Sequence, residues 1–192
     1  MARLICIGHS LIHIRQQNFL QTLAASHEVL ACCPDEWAEQ RSSSFAKGRF
    51  SLKALSGFGA MNPYGFSLLG LRDAMEDFKP DLAYIMAEPG SDLLAQCWDI
   101  CTDLRVPYAA FTWENIALRP CDPKVLDTAF CWVCGNDEAA RLVGAAIKDP
   151  GRVHILPQVG VDVDHFQARP GVTRSITVGC AGRAVPEKGS WQ

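Results

Sequence analysis

Residues 81–112, DLAYIMAEPGSDLLAQCWDICTDLRVPYAAFT, pass from one periodicity to another and back. Asp81 to Ala87 is an apolar run of strand length that stops at Glu88-Pro89-Gly90, a turn signal. Ser91 follows in the position of a helix N-cap, where its hydroxyl can accept from a backbone N–H that has no partner within the helix. Leu94, Cys97, Trp98, Cys101 and Leu104 then recur at helical spacing and form one apolar stripe. Val106 to Thr112 is a second apolar run. A strand, a helix long enough to cross back, and another strand make the repeating unit of a parallel sheet.

The same alternation extends in both directions. Upstream, Arg3 to Gly8 reads as a strand, Phe19, Leu20, Leu23 and Ala24 as a helix face, and Glu28 to Cys33 as a strand ended by Pro34-Asp35. Between Asp35 and Pro63 the pattern loosens around Ser42-Ser43-Ser44, Gly48, Gly57 and Gly59, with one short strand expected over Phe50 to Leu55. A helix carrying Leu68, Leu69, Leu71, Met75 and Phe78 is expected to stop at Lys79-Pro80, because proline disfavours helix in the residue before it. Downstream come a strand over Ala129 to Cys134, a helix capped by Asn136 and running to Ile147, and a strand over Arg152 to Leu156. This pattern predicts an α/β, Rossmann-like, mostly parallel sheet with helices on both faces, occupying residues 1–168. Residues 169–192 read as a linker followed by a new apolar strand, Ser175 to Ala181. No internal repeat is evident.

Composition narrows the function. At 192 residues the chain suits one domain of ordinary size and can bury roughly two-thirds of its unfolded surface. A net charge of −3 gives no general pull toward nucleic acid, so no nucleic-acid partner is expected. No run approaches the length of a membrane helix, and Leu4 to Ile7 stops at Gly8-His9, too short for a signal peptide. A cytoplasmic location is therefore expected. Of the nine cysteines, Cys6, Cys97, Cys101 and Cys180 sit inside apolar stretches, which suits reduced thiols in a reducing compartment. Cys131 and Cys134 have C-x-x-C spacing, yet they lie in an expected buried strand with no second pair or histidine at zinc spacing, so no metal is expected.

Two linked motifs add a resemblance. Val153-His154-Ile155-Leu156-Pro157-Gln158-Val159-Gly160-Val161-Asp162 with Phe166, and then Val178 to Gly189 with Gly182-Arg183 and Glu187-Lys188-Gly189, resemble the hinge of the family-four glycosyltransferases of GT-B fold. Lys79-Pro80-Asp81 and Phe111-Thr112-Trp113-Glu114-Asn115 resemble elements of the same family. The resemblance implies that the chain is the N-terminal, acceptor-side half of such an enzyme, truncated just after the nucleotide-sugar-binding half begins. The implied reaction transfers a hexose from a nucleotide diphosphate sugar to a sugar or lipid-linked acceptor, with retention and with no cofactor. It also implies a missing C-terminal domain, or a separate donor-binding chain for which this one is a non-catalytic partner.

By the same resemblance Arg183 and Lys188 hold the donor diphosphate, one gripping phosphate oxygens bidentately and the other adding a compact charge. Without the motif they read as a solvated basic pair. Gly8, ending the first strand, would let backbone approach those phosphates, or else marks a plain tight turn. His9 in the loop after that strand and Glu114 are the catalytic candidates. Glu88, Trp113 and Asn115 are the acceptor-binding candidates, since an indole stacks on a sugar's apolar face and carboxylates accept from hydroxyls. A core tryptophan followed by a capping Glu-Asn is the alternative. Residues 41–53 mix Arg41, Lys47, Arg49 and Lys53 with Phe45, Phe50 and Leu52. They read as a solvated loop or as a peripheral contact with the inner membrane face.

Overall fold

The computed structural model describes residues 1–37, 40–43, 48–60, 62–157, 163–164 and 166–167. The chain divides into two units, Met1–Val159 and Gly160–Gln192. The first unit carries the main sheet and all of the helices and strands named below. The expected strand over Ser175 to Ala181, the linker, and both Arg183 and Lys188 lie outside the described residues.

The strands are β1 (Arg3–Ile7), β2 (Glu28–Pro34), β3 (Glu36–Trp37), β4 (Gln40–Arg41), β5 (Ser51–Leu55), β6 (Gly57–Gly59), β7 (Phe66–Leu68), β8 (Leu82–Met86), β9 (Tyr108–Thr112), β10 (Cys131–Cys134) and β11 (Val153–Ile155). The helices are α1 (Asn18–Leu23), α2 (Leu71–Phe78), α3 (Asp92–Leu104), α4 (Pro123–Asp127) and α5 (Asp137–Ala146). Seven strands form one parallel sheet in the order β11-β10-β9-β8-β1-β2-β5. The order reverses between β1 and β8, and at such a reversal neighbouring loops leave in opposite directions and open a crevice beyond the strand ends.

Alternate residues of each strand serve different cores, as the two-residue repeat of a strand requires. Ile5, Ile7, Leu30, Cys32, Ala83 and Ile85 belong to one core with Met75 of α2, Leu94 and Cys97 of α3 and Val143 of α5. Cys6, Val29, Ala31, Cys33, Met86 and Phe111 belong to the other, under Leu11, Ile12 and Leu20. That second face has fewer helices over it. A mostly apolar cavity of about 370 Å³ lies there between Leu4, Phe19, Leu23, Tyr84, Val133 and Leu156.

The helix caps are as expected. Ser91 accepts from the Leu94 N–H at 3.3 Å, and Asn136 accepts from the Ala139 N–H at 2.8 Å. The looser region differs from expectation. Leu68 and Leu69 precede α2 rather than starting it, because Gly70, at φ 74, breaks the chain between the β6–β7 hairpin and the helix. The expected strand over Phe50 to Leu55 is real, and it pairs with β2 as the edge of the main sheet. Helix α4 was not expected. Asp122 caps it and Pro123 fits its first turn, and two buried aromatic donors hold it, Tyr108 Oη on the Val125 carbonyl at 2.5 Å and Trp132 Nε1 on the Leu126 carbonyl at 3.1 Å.

Candidate functional site

At the reversal between β1 and β8 lies a cavity of about 270 Å³ lined by His9, Ser10, Gln16, Met86, Ala87, Glu88, Phe111 and Trp113. Four expected site residues, Gly8, His9, Glu88 and Trp113, therefore meet at one sheet edge, three of them as walls. Glu114 and Asn115 are not walls of this cavity, and Asn115 is exposed on the loop after β9.

Each wall is placed by a local device. Glu88, Pro89, Gly90 and Ser91 form a turn closed by the Ser91 N–H on the Glu88 carbonyl at 3.1 Å. Proline at its second position and a glycine at φ 73 at its third are the signature of a type II turn. The Glu88 carboxylate accepts from the Thr112 hydroxyl, from the Glu114 N–H at 3.1 Å and from the Trp113 N–H at 3.4 Å. The Thr112 hydroxyl in turn accepts from the Glu114 N–H at 2.9 Å. Burial raises the Glu88 pKa above the ordinary carboxylate value, and the hydrogen bonds from Thr112 and the Trp113 amide partly offset that rise.

Glu114 faces another way. Its carboxylate accepts from the Tyr64 hydroxyl and from the Ile116 N–H at 3.2 Å. The Tyr64 ring carries the Arg119 guanidinium 3.9 Å from its centroid, and the Tyr64 carbonyl accepts from the Asp92 N–H at the start of α3 at 2.8 Å. Burial, then the hydrogen bond to Glu114, pushes the tyrosine pKa up to about 12, so its hydroxyl is a donor at neutral pH. Three loops, 62–65, 88–91 and 113–122, are thus locked together beside the cavity.

Trp113 is 42% exposed, with its ring edge toward Phe111 at 5.5 Å. A Cβ at Gly135, the residue after β10, would collide with its indole. This is not a core tryptophan. Gly8 has a packing reason of its own, since a Cβ there would stand 2.8 Å from both the Cβ and the carbonyl oxygen of Met86. Its N–H donates to the Cys32 carbonyl at 3.1 Å, so the amide is already engaged.

His9 stacks on Trp37 at 4.6 Å and meets the edge of Phe66 at 5.7 Å. Its Nδ1 is buried without a hydrogen-bond partner among the described residues. Burial, with the His13 charge adding to it, lowers the His9 pKa to about 4, so the ring is neutral at physiological pH.

Sequence reading did not find Tyr64, Thr112, Gln16 or Gly135. A polar residue closing a buried strand, as Thr112 does, and a glycine directly after one, as Gly135 is, were the available signals. Tyr64 offered none, because its role depends on a contact fifty positions away. The C-x-x-C pair sits on β10 with Cys131 half-buried and Cys134 buried, both as free thiols. Burial pushes Cys134 to about 11. Among the described residues, no group of three or more His, Cys, Asp or Glu could hold a metal ion. In the stretch 41–53, Phe50 and Leu52 pack against the second core rather than facing outward, while Phe45 and Lys47 lie outside the described residues. No described helix is long and apolar enough to cross a membrane.

No protein-family model matches the chain, and no curated protein is similar to it at a significant level. Solved structures are. The chain is similar to HepE of Anabaena in complex with UDP and glucose at 11% identity and a TM-score of 0.53, with 88% of this chain and 47% of that one covered. The HepE complex with UDP-glucose gives 10% identity and the same TM-score and coverage. The chain thus spans about half the length of HepE, and at these identities the likeness is one of fold: an α/β, Rossmann-like parallel sheet.

Proposed function

We propose that this chain is the acceptor-side half of a GT-B glycosyltransferase that moves a hexose from a nucleotide diphosphate sugar to a hydroxyl acceptor, with retention. The observation that carries the reading is the cavity at the strand-order reversal, walled by a half-exposed tryptophan, a neutral histidine and a carboxylate held by three donors. The similarity in fold to a protein solved with UDP and glucose is in keeping with it.

In this reading Trp113 stacks against the apolar face of the acceptor sugar. Neutral His9 forms part of the cavity wall against the acceptor, and Glu88 accepts from an acceptor hydroxyl. Glu114 positions the loop rather than touching the acceptor, since its oxygens serve Tyr64 and Ile116. Gly8 provides room rather than an amide. Arg183 and Lys188 are the proposed contacts to the donor diphosphate, on the motif resemblance alone. Aimed cations there would stabilise charge on the departing diphosphate.

Saturation-transfer NMR of the chain with methyl hexosides tests the reading. Transfer to at least one hexoside is expected, with loss in Trp113→Ala, alongside weak or no binding of UDP-glucose. Undiminished transfer in Trp113→Ala, or no transfer to any hexoside, overturns the acceptor site. Micromolar affinity for UDP-glucose by isothermal titration overturns the assignment to the acceptor side.

A further inference from the structure

Beside the strand-end cavity is a second one, of about 450 Å³, lined by Ile12, His13, Ile14, Arg15, Gln16, Gln40, Arg41 and Ser43. Gln16 is a wall of both cavities. The chain as a whole has more acids than bases, 21 against 18, yet this cleft has two arginines and a histidine and, among the described residues, no acidic wall. Neither arginine pairs with a described carboxylate. Arg3, Arg72, Arg141 and Arg152 each pair with at least one, while Arg49, Arg105 and Arg119 likewise pair with no described carboxylate but do not line this cleft. Arg41 lies across the β3–β4 hairpin from Glu36 in register, and no ion pair forms between them.

The two walls are fastened to each other. Gln17 is fully buried, and its Nε2 donates to the Leu11 carbonyl at 2.7 Å and to the Ser43 carbonyl at 2.5 Å. One side chain therefore ties the segment bearing His13 and Arg15 to the segment bearing Arg41. The Ser42 N–H on the Asp35 carbonyl at 2.9 Å closes the hairpin from the other end. Two exposed arginines wall one open cleft with no described carboxylate among its walls, and guanidinium groups grip phosphate oxygens bidentately.

We propose that this cleft is an anion subsite that takes a phosphoryl or diphosphoryl group carried by the acceptor. The inference rests on the acceptor reading of the neighbouring cavity for its biological meaning, and on the cleft itself for its chemistry. Gln16, shared by both cavities, is where one ligand passes from the sugar-stacking site to the anion site.

The test titrates inorganic pyrophosphate into the chain at low salt and follows the arginine Nε–H and backbone amide resonances. Saturable shifts at Arg15, Gln16 and Arg41 are expected, with affinity reduced on the order of tenfold in Arg15→Gln and again in Arg41→Gln. Arg105→Gln, which removes another arginine outside the cleft, should leave affinity unchanged. Shifts that do not saturate, or equal weakening by Arg105→Gln, overturn the proposal. Sedimentation with phosphatidylcholine vesicles doped with phosphatidic acid separates the sources. Wild-type sedimentation lost in the double variant assigns the phosphoryl group to a lipid, whereas pyrophosphate binding without sedimentation assigns it to a soluble acceptor. Pyrophosphate binding is independent of hexoside transfer at Trp113, so failure of either reading is visible without the other.

Discussion

The two cavities at this sheet edge use charge in opposite ways. Around the strand-end cavity the acids are engaged: Glu88 holds Thr112 and two amides, and Glu114 holds Tyr64 and Ile116. In the neighbouring cleft Arg15 and Arg41 hold no described carboxylate, and the cleft is shaped instead by the neutral amide of Gln17. A carboxylate with several oriented donors builds structure, because each bond fixes a loop that would otherwise wander. A cation left without a partner at a shaped surface adds little to folding and is available to a ligand. The acids here are scaffold, and the bases of the cleft are left open to a ligand.

The largest expected effect separates these roles. Glu88→Ala strands the buried Thr112 hydroxyl proton and leaves the Glu114 N–H with Thr112 alone, and an unmet buried polar group costs about 2 kcal/mol. For a chain of this length that is a fall of roughly 4–8 °C in melting temperature. Glu88→Gln keeps an acceptor in place and removes a charge that burial already disfavours, so its shift should be much smaller. Arg15→Gln and Arg41→Gln should each stay within about 0.5 kcal/mol of wild type, as surface changes do. If Glu88→Gln is as damaging as Glu88→Ala, the charge itself holds the loops and the contrast fails.

A smaller effect concerns pH. His9 has a folded pKa of about 4 against an ordinary 6.5. The unfolded chain therefore takes up a proton first as pH falls, and stability is lost between about 6.5 and 4, with no further loss from this group below that window. Glu88 acts in the opposite sense, because a raised carboxylate pKa favours the folded state as the group protonates. The difference between wild type and His9→Gln isolates the histidine. Chemical unfolding across that range should show wild type losing ground to the variant as pH falls. A constant difference would mean that the ring takes up its proton at the same pH in the folded and unfolded chain.

How much of this was legible in the sequence depends on the range of each interaction. The sheet was readable because apolar runs, turn residues and caps are local, and Ser91 and Asn136 cap the helices as their positions suggest. The strand-end residues Gly8, His9, Glu88 and Trp113 could be grouped because parallel topology brings loops after strands to one edge. Orientation was not readable. That Glu114 turns toward Tyr64, that Phe50 and Leu52 face a core, and that Gly8 is small because Met86 crowds it depend on neighbours far away in sequence. Helix α4 was missed for a related reason. Five residues carry too little periodicity to announce a helix, and the donors that hold it come from Tyr108 and Trp132.

The smallest effect tests how far the scaffold extends from Glu88. Tyr64→Phe removes the donor to Glu114 but keeps the ring under Arg119. Glu114 is half-buried and retains the Ile116 N–H, so water can take the vacated place and the loss should be under about 1 kcal/mol. Tyr64→Leu also removes the cation–π contact, which adds about 0.5–1 kcal/mol. Thermal melts should therefore rank Tyr64→Leu below Tyr64→Phe, and both above Glu88→Ala. A Tyr64→Phe variant as unstable as Glu88→Ala would move the centre of the scaffold outward, to the junction of loops 62–65 and 113–122, and would make Glu88 one of its dependents.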